Sequence, residues 1–170
     1  MSKEKYLETE QEAATFDFGK GAVPAHRHKN PDGSIGGWVA NTATVADTAY
    51  IGEDARVFDN AKVYGDACVY DNAKVSGDAE LALFAKVYGD AWVYDNAEVS
   101  DDAWVYDNAK VFDYAKVYGD AKVYDNAEVC DNAEVYDNAE VSGNAWVFGK
   151  AWVFGNAKVY GDARVYGKEE

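Results

Sequence analysis

From Val39 onward the chain alternates apolar and polar positions on a fixed short period. An aliphatic residue stands at every sixth position from Val39 to Val159, and an alanine follows four places after each, from Ala43 to Ala163. The register holds over 126 residues, or 21 units of six; the first position is Val in 19 of them, with Ile51 and Leu81 in the others. The fifth position is Ala in all 21. A fragment from Val165 to Lys168 begins another unit. A period of six is neither the 3.6 of a helix nor the spacing of hairpins. It fits a coil with flat sides and tight corners. In a unit such as "KVYGDA" the central Val points inward and its two neighbours point outward, because strand side chains alternate. The next two residues are usually Gly-Asp, Asp-Asn or Gly-Asn. These types tolerate the left-handed backbone of a sharp corner. Ala then returns to the interior, where little room remains. Three units close one triangular turn of 18 residues, so residues 18 apart stack.

This pattern resembles the left-handed parallel β-helix of the hexapeptide-repeat proteins, the trimeric LpxA-like superfamily. Their repeat also begins with an aliphatic residue and carries a small residue four places on. The resemblance implies an all-β, single-stranded left-handed solenoid of about seven 18-residue coils. At about 4.8 Å per coil the prism would be roughly 34 Å long. "SIGGWVA", Ser34 to Ala40, leads into runs of "VYGDA" and "VYDNA". With Gly36, Gly37 and Trp38 it is similar to the YdcK-like hexapeptide proteins of bacteria and phages. That likeness implies a bacterial or phage origin.

Residues 1–38 lie outside the repeat and divide the chain into an N-terminal capping segment and a solenoid over 39–168. An uncapped coil is an exposed sheet edge, and Phe16, Phe18, Val23 and Trp38 offer material to cover one. "NPDG", Asn30 to Gly33, reads as a turn. At the other end the charges of "GKEE" would discourage edge pairing. The start, "MSKEKYLETEQEAATF", has no apolar run of signal-peptide length, and no segment approaches a membrane span. The expected location is the cytoplasm, the host's if the chain is phage-encoded. A net charge of −15 argues against nucleic acid and anionic membranes as partners.

Sorting the outward positions by 18 gives three faces. One carries Tyr70, Tyr88, Tyr106 and Tyr124, then Ser142 and Tyr160, beside Cys68, Lys86, Trp104, Lys122, Glu140 and Lys158. A second carries Phe58, Ser76, Tyr94, Phe112, Cys130, Phe148 and Tyr166. The third runs through Tyr64, Ala82, Ser100, Tyr118, Tyr136 and Phe154. Such ladders stabilise neighbouring strands by stacking, and they also offer more aromatic surface than a solitary soluble prism needs. Both readings stand together. The candidate interface or ligand face is Tyr70, Tyr88, Tyr106, Tyr124, Trp104, Lys86 and Lys122. Three corners depart from Gly, Asp or Asn: Leu83 with Phe84, Tyr114, and Lys150. Leu83, Phe84 and Tyr114 are candidate contact corners, and the N-terminal segment folding back is one way to cover Phe84.

The hexapeptide fold hosts acyltransferases and γ-class carbonic anhydrases, and fold alone does not assign function. The first typically use a His as general base beside an inserted loop, and the second need three His for a metal. The repeat carries neither; the two histidines, His26 and His28, stand in "AHRHKN" before it. They are weak candidates for catalysis or metal. Corner Asp and Asn are expected to cap turns rather than act as acids. Cys68 and Cys130 fall on different faces, over three turns apart and both outward, and are expected to be free thiols. No cofactor is implied. The leading expectation is a non-enzymatic acidic scaffold or interaction protein that self-associates through an aromatic flat face. The alternatives are a module sequestering a small planar, nucleotide-like ligand, as a phage counter-defence protein would, and an acyltransferase with an unrecognised site.

Overall fold

The computed structural model describes residues 14–168. Three strands come first: β1 (Thr15–Asp17), β2 (Ala22–Lys29) and β3 (Ile35–Ala40). They form an antiparallel meander. From Thr44–Val45 onward a short strand recurs every six residues, as far as Arg164–Gly167. These strands stack into three parallel sheets, one of ten strands that includes the meander and two of seven. Each strand pairs with those 18 residues before and after: Lys86 faces Cys68 and Trp104, and Val87 faces Val69 and Val105. The chain is therefore an all-β parallel solenoid of about seven coils.

The interior is made by the two small apolar positions of the repeat. Position-one residues from Ile51 to Val147 and position-five alanines from Ala49 to Ala139 are fully buried. Val beside Ala lines a narrow triangular interior, and each Val pairs with the aliphatic residue one coil above and below it. No single unit buries its own Val; burial comes from stacking, as in other solenoids.

Corners depend on a backbone geometry that few residues accept. At the third position of every unit from Asp59 to Gly161, φ lies between +52° and +72°. Asp or Gly occupies all of these positions except Leu83, at φ +60°. A left-handed conformation costs an ordinary L-residue about 1–2 kcal/mol, so Leu83 is a strained corner. Asp does a second job there. Its carboxylate accepts the backbone N–H of the corner one coil on: Asp71 from Gly89 at 3.1 Å, Asp101 from Gly119 at 3.1 Å, Asp125 from Gly143 at 2.9 Å and Asp131 from Gly149 at 2.9 Å. Part of the protein's acidity is thus a set of backbone hydrogen-bond acceptors.

The first coil is closed by the meander. Asn30 accepts the Ile51 N–H at 2.8 Å and donates to the Ile51 carbonyl at 3.1 Å. His28 Nε2 donates to the Ala49 carbonyl at 3.1 Å. Both side chains are buried. β3 passes so close beneath the coil that a Cβ on Gly36 would lie 2.2 Å from the Ile51 carbonyl oxygen, and one on Gly37 2.0 Å from that of Ala55. Only glycine fits at either position. The "NPDG" stretch is a turn, closed by the Gly33 N–H donating to the Asn30 carbonyl at 2.9 Å. Among the described residues, Trp152–Val153, Lys158–Val159 and Arg164–Gly167 are each the outermost strand of their sheet.

Candidate functional site

The face with Tyr88, Tyr106 and Tyr124 places these rings in one stack. Successive centroids are 4.8 and 4.9 Å apart and the planes are parallel to within 4°. Tyr70 stands at the head of the column, tilted against Tyr50 at 5.2 Å. Beside the column, Lys86 Nζ lies 4.9 Å and Lys122 Nζ 5.2 Å from the Trp104 ring centroid. The seven residues singled out on this face are therefore neighbours on one sheet. Among the described residues, neither Lys86 nor Lys122 makes an ion pair, whereas Lys62, Lys110, Lys116 and Lys158 each pair with a glutamate one coil away. A recess of about 480 Å³ opens between Trp104, the two lysines and the carboxylates of Asp102, Asp120 and Glu140. Burial in the ladder pushes the Tyr106 hydroxyl up to about 12, with the Tyr88 and Tyr124 neighbours adding to it. Tyr88 is raised as well, again chiefly by burial.

Stacking consumes most of the outward aromatic surface. Tyr94 stacks on Phe112 at 4.9 Å and Tyr118 on Tyr136 at 5.0 Å. The hairpin of β1 and β2 prolongs the second face: Phe18 stacks on Phe58 at 4.9 Å, and Phe16 on Trp38 at 4.8 Å. Among the aromatics left exposed are Tyr64, Phe84 and Tyr114 on the body of the solenoid and four on its last described coil. Trp152, Phe154, Tyr160 and Tyr166 all stand on the last coil and are 63, 54, 70 and 56 % exposed.

One expectation from the sequence is corrected here. Cys130 points away from the core, yet it is buried. Trp146, one coil on, leans across it and donates its Nε1–H to the thiol at 3.1 Å. Trp92 covers Ser76 in the same way, at 2.9 Å. The legible signal was a small residue followed sixteen places later by Trp. Cys68 is half-buried on another sheet, and both thiols are free. At the candidate contact corners, the described part of the N-terminal segment makes no ring contact; it packs on Phe58 and Trp38. Leu83, Phe84 and Tyr114 stay exposed. The hairpin extends the sheet that β3 enters, whereas Phe84 lies on the corner between the other two sheets. Residues 1–13 and 169–170, including the glutamates of "GKEE", lie outside the described residues.

The weak chemical candidates are occupied with structure. His26 is exposed and its Nδ1 meets Asn41 Oδ1 at 3.0 Å, while His28 is buried in the cap. Their rings have separate partners, the Asn41 side chain and the Ala49 carbonyl, and are not brought together by any shared contact. Among the described residues, Asp113, Cys130 and Asp131 are the group whose metal-capable atoms lie within 4.8 Å of one another. Each has a local role: Asp113 accepts the Asp131 N–H at 3.3 Å, Asp131 accepts the Gly149 N–H, and Cys130 takes the Trp146 N–H. Burial pushes the Cys130 thiol up to about 11; the Trp146 bond opposes the rise and the carboxylates of Asp131, Asp113 and Glu128 add to it. That is the reverse of the activated thiolate a nucleophile needs. No family model, curated protein or solved structure matches the chain.

Proposed function

We propose that this protein is a non-enzymatic scaffold: a rigid, acidic solenoid of the hexapeptide-repeat type that acts through self-association. The observation that carries the reading is the use made of its chemical groups. Corner carboxylates accept backbone N–H groups of the next coil, His28 caps the first coil, and the Cys130 thiol is covered by an indole. Side chains held by backbone in this way build a rod rather than a reaction centre. Sedimentation at micromolar concentration is expected to show a defined oligomer, and acyl-CoA turnover is expected to be at background. Turnover that disappears in His26→Ala would overturn the scaffold reading in favour of the acyltransferase.

A second reading is favoured by the Trp104 recess. Two lysines without carboxylate partners flank an indole beside a tyrosine stack, an arrangement that suits a planar anion. The carboxylates of Asp102, Asp120 and Glu140 in the same recess weigh against it. Thermal-shift measurements with nucleotides, repeated on Trp104→Ala, separate the two readings. A nucleotide shift that Trp104→Ala abolishes would establish the ligand module.

A further inference from the structure

One aromatic ladder is interrupted in the middle of the solenoid, and no tryptophan covers the gap. On the face of Tyr64, Tyr118 and Tyr136, the rungs between Tyr64 and Tyr118 are Ala82 and Ser100. On the second face, small rungs are covered. Trp92 bonds to Ser76 and Trp146 to Cys130, each from sixteen places on, and both small residues are buried. Sixteen places after Ala82 and Ser100 stand Glu98 and Lys116, which bond to each other at 3.0 Å. Ala82 and Ser100 stay half-buried. Three coil steps separate Tyr64 from Tyr118, about 14 Å at the spacing of paired strands. The result is a notch, floored by Ala82 and Ser100 and bounded along the ladder by two tyrosines.

The rim of the notch is the corner that departs from all the others. Leu83 holds φ +60° at a position given to Asp or Gly in every other unit from Asp59 to Gly161. A leucine is strained there, and Leu83, Phe84 and Tyr64 are all exposed. Local stability alone would place Gly-Asp at this corner, as it does in the preceding turn of the same edge at Gly65 and Asp66. The apolar tip sits in an acidic edge. The corner pairs 47–48, 65–66, 101–102, 119–120 and 137–138 supply Asp47, Asp66, Asp101, Asp102, Asp120 and Asp137 and no cation. The lysines beside the notch are engaged: Lys62 pairs with Glu80 and Lys116 with Glu98. On the following sheet, Lys86 Nζ lies 4.9 Å from the Trp104 ring.

We propose that this notch and its Leu83–Phe84 rim dock a protein partner that presents a basic segment carrying two apolar side chains. The surface is additional to the one the scaffold uses for self-association. Charge selects the partner: cations on it meet the edge carboxylates, while a second copy of a protein of net −15 brings more carboxylates to the same edge. Shape selects a chain over a small molecule. The notch lies open along a flat face, so its occupant has to bring its own cover. An extended segment sets side chains on one side about 6.7 Å apart. Two such side chains fit a gap of about 14 Å between Tyr64 and Tyr118. Cations two residues before and after them then reach the carboxylates above and below.

The test is a titration of the whole chain with the labelled peptide Lys-Lys-Phe-Lys-Phe-Lys-Lys, read by fluorescence anisotropy. Leu83→Gly/Phe84→Asp gives the corner the repeat's own residues and adds one negative charge. Ala82→Tyr/Ser100→Tyr fills the notch with the ladder's own residue and leaves the charge unchanged. Circular dichroism and melting show that each variant keeps its fold. The wild type is expected to bind the peptide, and each variant to bind it more weakly, on the order of thirtyfold. The same peptide with Ala for Phe is expected to lose a similar factor. Sedimentation is expected to show the same oligomer in all three proteins. Equal binding by the wild type and both variants, or tighter binding by the Gly-Asp variant, reduces the contact to diffuse charge and overturns the notch. No binding by the wild type overturns the basic partner. Loss of the oligomer in the filled variant assigns the notch to a second copy; that overturns the choice of partner and leaves self-association standing. A wild-type monomer that binds the peptide, with binding lost in both variants, supports the docking site and overturns self-association.

Discussion

The two ends of the prism are built from different kinds of sequence. The N-terminal end is closed by residues that obey no repeat: an Asn, a His and two glycines placed to satisfy particular backbone groups. The last described coil is the repeat itself. At the first, polar side chains are buried because each has a partner. In the last described coil, Ala157 is exposed and Val159, Ala163 and Val165 are half-buried, since no described strand packs on them. A solenoid's body is a sum of identical neighbour contacts, so its individuality lies at its ends.

That contrast is testable from its largest expected effect downward. Gly37→Ala forces a Cβ to 2.0 Å from the Ala55 carbonyl oxygen, while a Cβ on Gly161 meets nothing within 4 Å. Chemical denaturation should show a loss of about 3 kcal/mol or more for the first change, and about 1 kcal/mol for the second, from its positive φ alone. Equal losses would erase the distinction between the capped first coil and the last described one. Asn30→Ala leaves both Ile51 backbone groups buried without their partner, at a cost of about 2–3 kcal/mol. Faster amide exchange in the first coil, with the last coil unchanged, is the accompanying signature.

Smaller effects probe the body between the ends. Asp101→Ala removes both a residue suited to a left-handed corner and the acceptor for the Gly119 N–H. A loss of about 1–2 kcal/mol is expected. Asp101→Asn keeps both features and should cost less than about 0.5 kcal/mol; if the two variants melt together, the carboxylate cap is not a stabilising contact. Leu83→Gly relieves the one strained corner and should raise stability by about 1 kcal/mol. Alkaline pH acts first through Cys130. Burial holds its thiol up to about 11 from an ordinary 9.0, so that its contribution fades from pH 9 toward 11; the tyrosines follow. Tyr70, Tyr94, Tyr106 and Tyr118 are each held up to about 12, mainly by burial, from an ordinary value of 10.0. Their raised values favour the folded state fully below pH 10. That contribution fades as pH rises from 10 toward 12, because the unfolded chain loses its phenolic protons first. Melting temperature against pH, with tyrosinate absorbance as the second probe, checks the window.

Much of the candidate face was legible in the sequence, for a simple reason. Stacking by 18 is arithmetic, so Lys86, Trp104 and Lys122 had to be neighbours once the coil was triangular. Cys130 was not legible as buried, because that depends on the direction in which Trp146 leans. The path of β1 and β2 along the sheet that β3 extends was not legible either, because no repeat governs it. The corner aspartates were recognised as turn residues, but their bonds to the next coil were not, since those bonds join residues 18 apart.

The sequence by itself determined the core, the corners and the faces. A period of six with Val and Ala at fixed places leaves one way to bury every Val, and that way sets the register of all later coils. Only the tertiary structure decided which outward residues remain in water, which polar groups are spent on backbone, and how the first coil is capped. Those outcomes depend on contacts between coils and on a non-repeating cap, and neither leaves a period in the chain.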